Sequence, residues 1–428
     1  MPLKLLAVGD LHLGRVPTRL PEELVHQVRK LGPAGALQRI VDTAIKNDIH
    51  VVVLAGDVVE EENDFFEAYR QLSAGVKRLL ENNIRVFAVA GNHDVQILPR
   101  LADHIEGFCL LGREGQWQQE TLEIDSEIVT LHGWSFPHRV VKDSPLTGQH
   151  FKRGSGFNLG LLHCDRDQAG SPYAPVSTRE LESAGLDGWL LGHIHTPDKL
   201  SFDHPVGYLG SAVALDPGHP GARGPWLITI QGGRILSNEH WALSPLHWDH
   251  MAVDLTGIEI AEDARDRLLN SINDLDSLIS DRPQPPGAVG LRITFIGRTD
   301  LRNSVEKLMA TENLNDLYAG NSRIHYFVER TLYATHPELD MSSSAQRADP
   351  PGLLARQILI LERDSADPER RFLIQESRHF LAERAKKPQW QPLDTDGLLS
   401  DDETVANWLH NAGLKALNQL LSQSEAAK

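Results

Sequence analysis

The feature that most constrains this chain is a series of short apolar runs, most of them ended by an Asp, Asn or His. The runs lie at 5–8, 51–55, 86–90, 128–131, 159–162 and 189–191, and are mostly rich in Val, Ile or Leu. Short, near-continuous apolar runs of this kind read as β-strands buried on both faces. Between the early runs, Leu37, Ile40, Val41, Ala44 and Ile45 recur at helical spacing, as do Phe65, Tyr69, Leu72, Val76, Leu79 and Leu80. Asn63 or Asp64 is placed to cap the second of these helices, and Ser177 with Glu180 makes a capping box for a short third. Alternating strands and helices with doubly buried strands imply a layered α/β core.

Beyond Val206 the rhythm changes. Segments 208–210, 227–230 and 234–236 read as strands, with Gln231, Gly232 and Gly233 as the turn of an antiparallel hairpin. A second unit then reads as strand 251–255, helix 262–279, a Pro-rich turn, strand 290–296, a helix from Ser304 and strand 323–330. Ser342, Ser343, Ser344, Pro350 and Pro351 mark a linker, followed by helical stretches at 353–363, 372–385 and 404–421. The 428 residues therefore divide into an expected core at 1–245, a small α+β module at 246–338 and a helical C-terminal segment at 339–428.

Charge narrows the function classes. The chain carries 59 acidic against 42 basic residues, a net −17, which argues against a protein that coats nucleic acid by bulk charge. An enzyme that meets phosphate through bound cations and a local basic strip remains compatible. No apolar run reaches the roughly 18 residues of a membrane span. The first ten residues run straight into acidic chemistry and read as a strand, not a leader. Only Cys109 and Cys164 are present, far apart, so no disulfide framework is expected and a reducing cytoplasm is. Cys164 reads as a small strand residue.

Five strand ends supply the chemistry. Asp10 and His12 follow the first strand, and Asp57 closes Gly-Asp after the second. Asn92, His93 and Asp94 form Gly-Asn-His-Asp after the third. His163 ends run 159–162, and His193 and His195 form Gly-His-x-His after run 189–191. A lone Asp after a strand is usually a turn or a cap, and a lone loop His is usually structural. The whole ordered set, at the sheet edge where α/β proteins bind ligands, has no such mundane reading.

In this order the chain resembles the calcineurin-like metallophosphoesterase superfamily over about residues 3–240. The resemblance implies two packed mixed sheets flanked by helices, and two divalent cations bridged by Asp57. Asp10, His12, Asp57 and His195 would hold one cation; Asp57, Asn92, His163 and His193 would hold the other. Carboxylate, amide and imidazole donors together suit Mn2+ first, or Fe2+ or Zn2+, and not an all-oxygen Ca2+ site. Two cations about 3.5–4 Å apart can hold the attacking and leaving oxygens of a phosphoryl transfer, with a bridging hydroxide as the nucleophile. The implied role of His93 is to stabilise or protonate the leaving oxygen, with Asp94 fixing its tautomer.

Within that superfamily, Leu131-His132-Gly133-Trp134-Ser135-Phe136, the stretch 158–163 and Pro172-Tyr173-Ala174-Pro175 look like the SbcD/YhaO-type DNA repair exonuclease subunits. The module at 246–338 looks like their capping domain. This resemblance implies DNA as substrate and an SbcC-type ATPase of the SMC class docked at a C-terminal helix such as 404–421. It also implies a homodimer through the helices around 36–46 and 64–82, near Phe65, Phe66 and Tyr69. One position departs from the pattern. Many such nucleases carry a His three residues after the bridging Asp, where this chain has Glu60, opening the run Glu60-Glu61-Glu62. A carboxylate there repels phosphate unless it stays outside the pocket. The acidic balance and Glu60 keep a nucleotide phosphodiesterase as an alternative, and a DNA-end-binding scaffold with weak catalysis as a third reading.

Overall fold

The computed structural model describes residues 1–60, 65–202, 204–319, 322–338, 340–385 and 401–426. The expected helix cap at Asn63 or Asp64, and Glu61 and Glu62, lie outside these residues. Two compact units emerge. The first comprises Met1–Val253, Glu262–Phe295 and Lys307–Tyr333; the second comprises Asp254–Ala261, Ile296–Glu306 and Ala334–Lys428.

The first unit holds two mixed sheets packed face to face. One contains β1 (Leu3–Val8), β2 (Val51–Ala55), β3 (Arg85–Val89), β4 (Phe108–Leu110), β10 (Trp226–Gln231) and β11 (Arg234–His240), in the order β11-β10-β1-β2-β3-β4. The other runs β5-β6-β7-β8-β9, from β5 (Gln118–Ile124), β6 (Glu127–Trp134), β7 (Phe157–His163), β8 (Gly188–Gly192) and β9 (Val206–Tyr208). Strands β1 to β4 are mutually parallel, as are β6 to β9, while β10, β11 and β5 pair antiparallel.

Period-two alternation explains why the runs are apolar throughout. Leu3, Leu5 and Ala7 of β1, with Val51, Val53 and Ala55 of β2, face the second sheet and meet Phe157, Leu159 and Leu161 of β7. Their neighbours Leu6, Val8, Val52 and Leu54 face outward onto helices α2 (Pro33–Lys46), which follows the short α1 (Val28–Leu31), α3 (Phe65–Glu81) and α4 (Ile97–His104), where Leu37, Ile40, Val41, Leu72, Val76 and Leu98 close that side. On the far side, Leu162, Leu191 and Trp189 pack beneath α5 (Thr178–Ser183), whose N-cap Ser177 forms the capping box with Glu180. Helix, sheet, sheet and helix thus stack in four layers, the expected layered α/β core.

Strand β4, only three residues long, and β5, polar at most of its positions, do not stand out in sequence. The strand expected at 208–210 differs from the structure: β9 covers Val206–Tyr208 and pairs parallel to β8 at the edge of the second sheet, while β10 and β11 form the hairpin. Strand β12 (Leu246–Asp254), α6 (Glu262–Ile279), β13 (Ala288–Ile296), α7 (Arg302–Thr311) and β14 (His325–Tyr333) follow as a βαβαβ run with sheet order β12-β13-β14. Trp248, Ala288 and Phe327 bury against Leu24, Leu31 and Ala214 of the core.

The second unit is helical at its C-terminal end, with the short α8 (Met341–Ser344), α9 (Pro350–Leu361), α10 (Pro368–Ala385) and α11 (Asp402–Ala426). Val405 and Leu417 of α11 are fully buried, against Leu361 and Ile374 and against Ala355 and Ile358 respectively. Packing thus consumes one face of this helix and leaves Trp408 partly exposed. Among the described residues no helix is long and apolar enough to cross a membrane.

Candidate metal centre

The C-terminal ends of β1, β2, β3, β7 and β8 converge, and each expected residue follows from its strand's geometry. His163 continues the parity of Phe157, Leu159 and Leu161, so its ring crosses between the sheets and its Nδ1 sits 3.0 Å from the carbonyl oxygen of Ala55, the last residue of β2. The glycines of the motifs admit this approach. A Cβ on Gly56, whose φ is +85°, would lie 2.5 Å from His163 Nδ1, and one on Gly91 would lie 2.2 Å from Asp57 Oδ1. Asp10, His12, Asp57 and His193 all adopt positive φ, at 38°, 52°, 48° and 103°. Backbone strain of this kind in non-glycine residues concentrates at functional sites.

Two groups of donors result. In the first, ligand-capable atoms of Asp10, His12 and His195 lie within 4.8 Å of one another; in the second, those of Asp57, His163 and His193 do. Asp57 stands between them, its Oδ2 3.4 Å from His163 Nε2 and 3.9 Å from His12 Nε2. Asn92 Oδ1 is 3.1 Å from His163 Nε2, which places the amide beside the second group. Both oxygens of Asp10 accept from the backbone N–H of His193, at 3.0 and 3.1 Å, which couples the two groups through the chain.

The donor chemistry fits a pair of divalent cations. His12 directs Nδ1 at Glu60 Oε2, 3.2 Å away, so its Nε2 presents a lone pair; that atom is 3.2 Å from His195 Nε2. Two imidazole nitrogens turned on one point repel unless a proton or a cation lies between them. Burial and the nearby His12 depress His195 to about 3, and burial depresses His193 to about 4, so both rings are neutral donors at neutral pH. Burial opposes charge on Asp57, yet His163, His12 and His93 hold its carboxyl well below the usual range. The same carboxylate, with Asp10, outweighs burial at His163 and lifts it to about 9. Negative charge here is balanced by an imidazole proton, the position a divalent ion takes when ligands deprotonate to bind it.

His93 stands apart from both groups. Its side chain is 41 % exposed while Asp10, His12, Asp57 and His163 are buried, and its backbone N–H donates to Asp57 Oδ1 at 2.9 Å. Its Nδ1 is 2.9 Å from Glu60 Oε1. That corrects the expectation for Asp94. The Asp94 carboxylate is fully buried and accepts from the backbone N–H groups of Val58 at 2.6 Å and Gly91 at 2.7 Å, stitching together the loops after β2 and β3. Strand ends leave backbone donors that need acceptors, and Asp94 fills that need. Glu60 instead orients His93, and the hydrogen bond raises the His93 pKa above its ordinary value. The Glu60 side chain is only 9 % exposed and its charge is answered by His12 and His93, so it does not confront a phosphate directly.

Two further residues were not singled out from the sequence. Asp165 Oδ1 lies 3.2 Å from His193 Nε2, an orienting contact of the kind that metal-binding imidazoles make with their second nitrogen. Its position two residues after His163 was the available hint. Arg223 is buried and donates to the carbonyl oxygen of His195; an isolated Arg in a Gly/Pro-rich loop has nothing in sequence to mark it. Cys164 turns away from the centre into the outer core beside Trp134 and Ala174, where burial pushes its thiol pKa up, as expected of a packing residue.

Residues 3–197 match the calcineurin-like phosphoesterase family. The uncharacterized metallophosphoesterase YhaO of Bacillus subtilis (strain 168) is 26% identical over 274 residues, 59% of this chain and 64% of its own. The DNA double-strand break repair protein Mre11 of Methanopyrus kandleri is 22% identical over 294 residues, 62% of this chain and 62% of its own. The chain thus spans less than two thirds of the length of either relative. Among solved structures, the calcineurin-like phosphoesterase YfkN from Bacillus subtilis aligns with a TM-score of 0.35 at 13% identity, over 65% of this chain and 98% of that one.

Proposed function

We propose that the protein, whose residues 3–197 match the calcineurin-like phosphoesterase family, is a two-metal phosphodiesterase that cleaves DNA, as exonuclease and endonuclease, in repair or end processing. The observation that carries the chemistry is the pair of donor groups joined at Asp57, with the half-exposed His93 beside them. Asp10, His12, Asp57 and His195 would hold one cation, and Asp57, Asn92, His163 and His193 the other, with Mn2+ the proposed metal. When bound, the cations supply Lewis-acid activation of the phosphoryl group and of the attacking water.

The residues of the chain do the rest. Glu60 accepts the Nδ1 proton of His93, which leaves Nε2 to face substrate and give a proton to the departing oxygen. Asp94 keeps the two loops in register behind it. Support for DNA as substrate comes from the similarity to proteins described as DNA double-strand break repair protein Mre11. The βαβαβ run within 246–338 is proposed as the cap, the 339–428 segment as the dock for an SbcC-type ATPase, and α2 with α3 as a homodimer face. The acidic balance of 59 to 42 favours a second reading, a nucleotide phosphodiesterase.

The test is direct. With Mn2+, the purified protein, alone and with a co-encoded ATPase, should digest linear DNA, while His93→Ala abolishes digestion and still takes up metal. Rapid turnover of cyclic nucleotides with no DNA cleavage would move the assignment to the second reading.

A further inference from the structure

Arg223 is 2 % exposed, and no carboxylate pairs with it among the described residues. A buried guanidinium without a counter-ion is costly, so its retention needs a reason. Its hydrogen bonds supply one. Nη1 donates to the carbonyl oxygen of His195 at 2.5 Å and Nη2 to that of Pro220 at 3.0 Å, while Nε is buried without a partner. Planar and forked, a guanidinium can hold two carbonyls in fixed relation, which an ammonium cannot do equally.

The segment it fastens bears directly on the first donor group. The backbone N–H of Ser211 donates to the same His195 carbonyl at 2.9 Å, and that of Ala212 donates to Gly9, the residue before Asp10, at 3.0 Å. Residues 211–223 therefore run as a strap from the end of β1 to His195, closed by Arg223. His219, on the strap, sets its ring 4.9 Å from that of His195. The second group has other supports: His163 rests on Ala55, and His193 on Asp165.

We infer that Arg223 is the positioning residue that holds His195 in the first donor group, so that filling of that group, and not of the second, depends on it. The inference rests on the metal reading proposed above. Arg223 touches no substrate; it acts through the His195 backbone.

The test is titration of the metal-free full chain with Mn2+, followed by calorimetry and electron paramagnetic resonance, with thermal melting alongside. The wild type is expected to take up two equivalents and show a spin-coupled pair. In Arg223→Gln one equivalent binds as before, while the other weakens by about 10–100-fold, the usual effect of losing a residue that orients a metal ligand. At two equivalents this variant shows the six-line signal of isolated Mn2+. Arg223→Lys, which keeps the charge and one donor, should recover part of the loss, and it serves as the test variant if the glutamine form does not fold. Two equivalents bound with wild-type affinity in Arg223→Gln, tighter binding at either group, or parallel weakening of both would overturn the inference. Absence of metal uptake by the wild type would instead overturn the metal reading itself, and the role of Arg223 with it.

Discussion

Replacing Gly91 with alanine isolates the close approach on which the centre depends. A Cβ at this position would stand 2.2 Å from Asp57 Oδ1 and 2.8 Å from the Asp57 backbone nitrogen, where ordinary contact begins near 3.4 Å. The Asp57 carboxylate must then retreat by about 1.2 Å, the difference between those distances, because atoms at full contact resist compression steeply. The backbone cannot follow: the Asp57 carbonyl accepts from His12 N–H at 2.8 Å, and Asp94 grips Val58 and Gly91 together. Overpacking of this kind costs about 1–3 kcal/mol, or roughly 2–4 °C in melting temperature for each kcal/mol in a unit of this size. A misplacement of about 1 Å in a reacting constellation costs on the order of 100-fold in rate. Gly91→Ala should therefore melt a few degrees lower, bind Mn2+ weakly at both groups that share Asp57, and lose on the order of 100-fold in phosphodiester cleavage. Gly185→Ala is the control. Its φ is +77° but nothing lies within 4 Å of the added Cβ, so it costs about 1–2 kcal/mol of backbone strain with no change at the centre. The reasoning is refuted if Gly91→Ala binds metal and turns over like the wild type, or if Gly185→Ala loses metal to the same degree.

Three other outcomes follow from the same contacts. Glu60→Gln leaves one acceptor oxygen for two imidazole N–H groups now served by a carboxylate at 2.9 and 3.2 Å; loss of a charged hydrogen bond worth about 1.5–3 kcal/mol predicts a rate roughly 10–100-fold lower, and unchanged kinetics would place Glu60 outside the machinery. Chelation should lower the melting temperature, since ligand at about 100 times its dissociation constant adds about 2.7 kcal/mol to the folded state; identical melts with and without chelator would contradict the fit of the donors. For His240, away from the centre, burial lowers the folded pKa to about 4, below the unfolded value near 6.5. Its ring is neutral in both states above pH 6.5, so stability is complete there; between pH 6.5 and 4 the unfolded chain takes the proton first and stability falls. His240→Gln should flatten that part of a urea-denaturation pH profile, and an unchanged slope would refute the assignment.

Much of the core was legible because burial on both faces leaves a mark in residue type. Val51 to Ala55 could be read as a strand since every position must be apolar, whereas Gln118 to Ile124, exposed along much of one face, gave no comparable mark. A strand near Tyr208 was visible, though not its bounds of Val206–Tyr208 nor its partner: parallel pairing with β8 and antiparallel pairing with β10 ask for the same residues. Gly56 and Gly91 were legible as motif members, yet the reason for them, the His163 ring and the Asp57 carboxylate pressing on their backbones, exists only across long chain separations.

The sequence by itself determined which donors exist and that each stands where a strand ends, since apolar runs must terminate before polar side chains can gather. Tertiary structure alone decided how those donors divide their hydrogen bonds. Asp94 and Glu60 are both carboxylates a few residues from ligand candidates, and residue type favours neither as the partner of His93. The loop after β2 places Glu60 against both His12 and His93, while the backbone donors of Val58 and Gly91 capture Asp94 first. Arg223 shows the same limit more sharply: its role comes from two carbonyl oxygens that its loop brings into reach, and carbonyls are the one feature every residue shares.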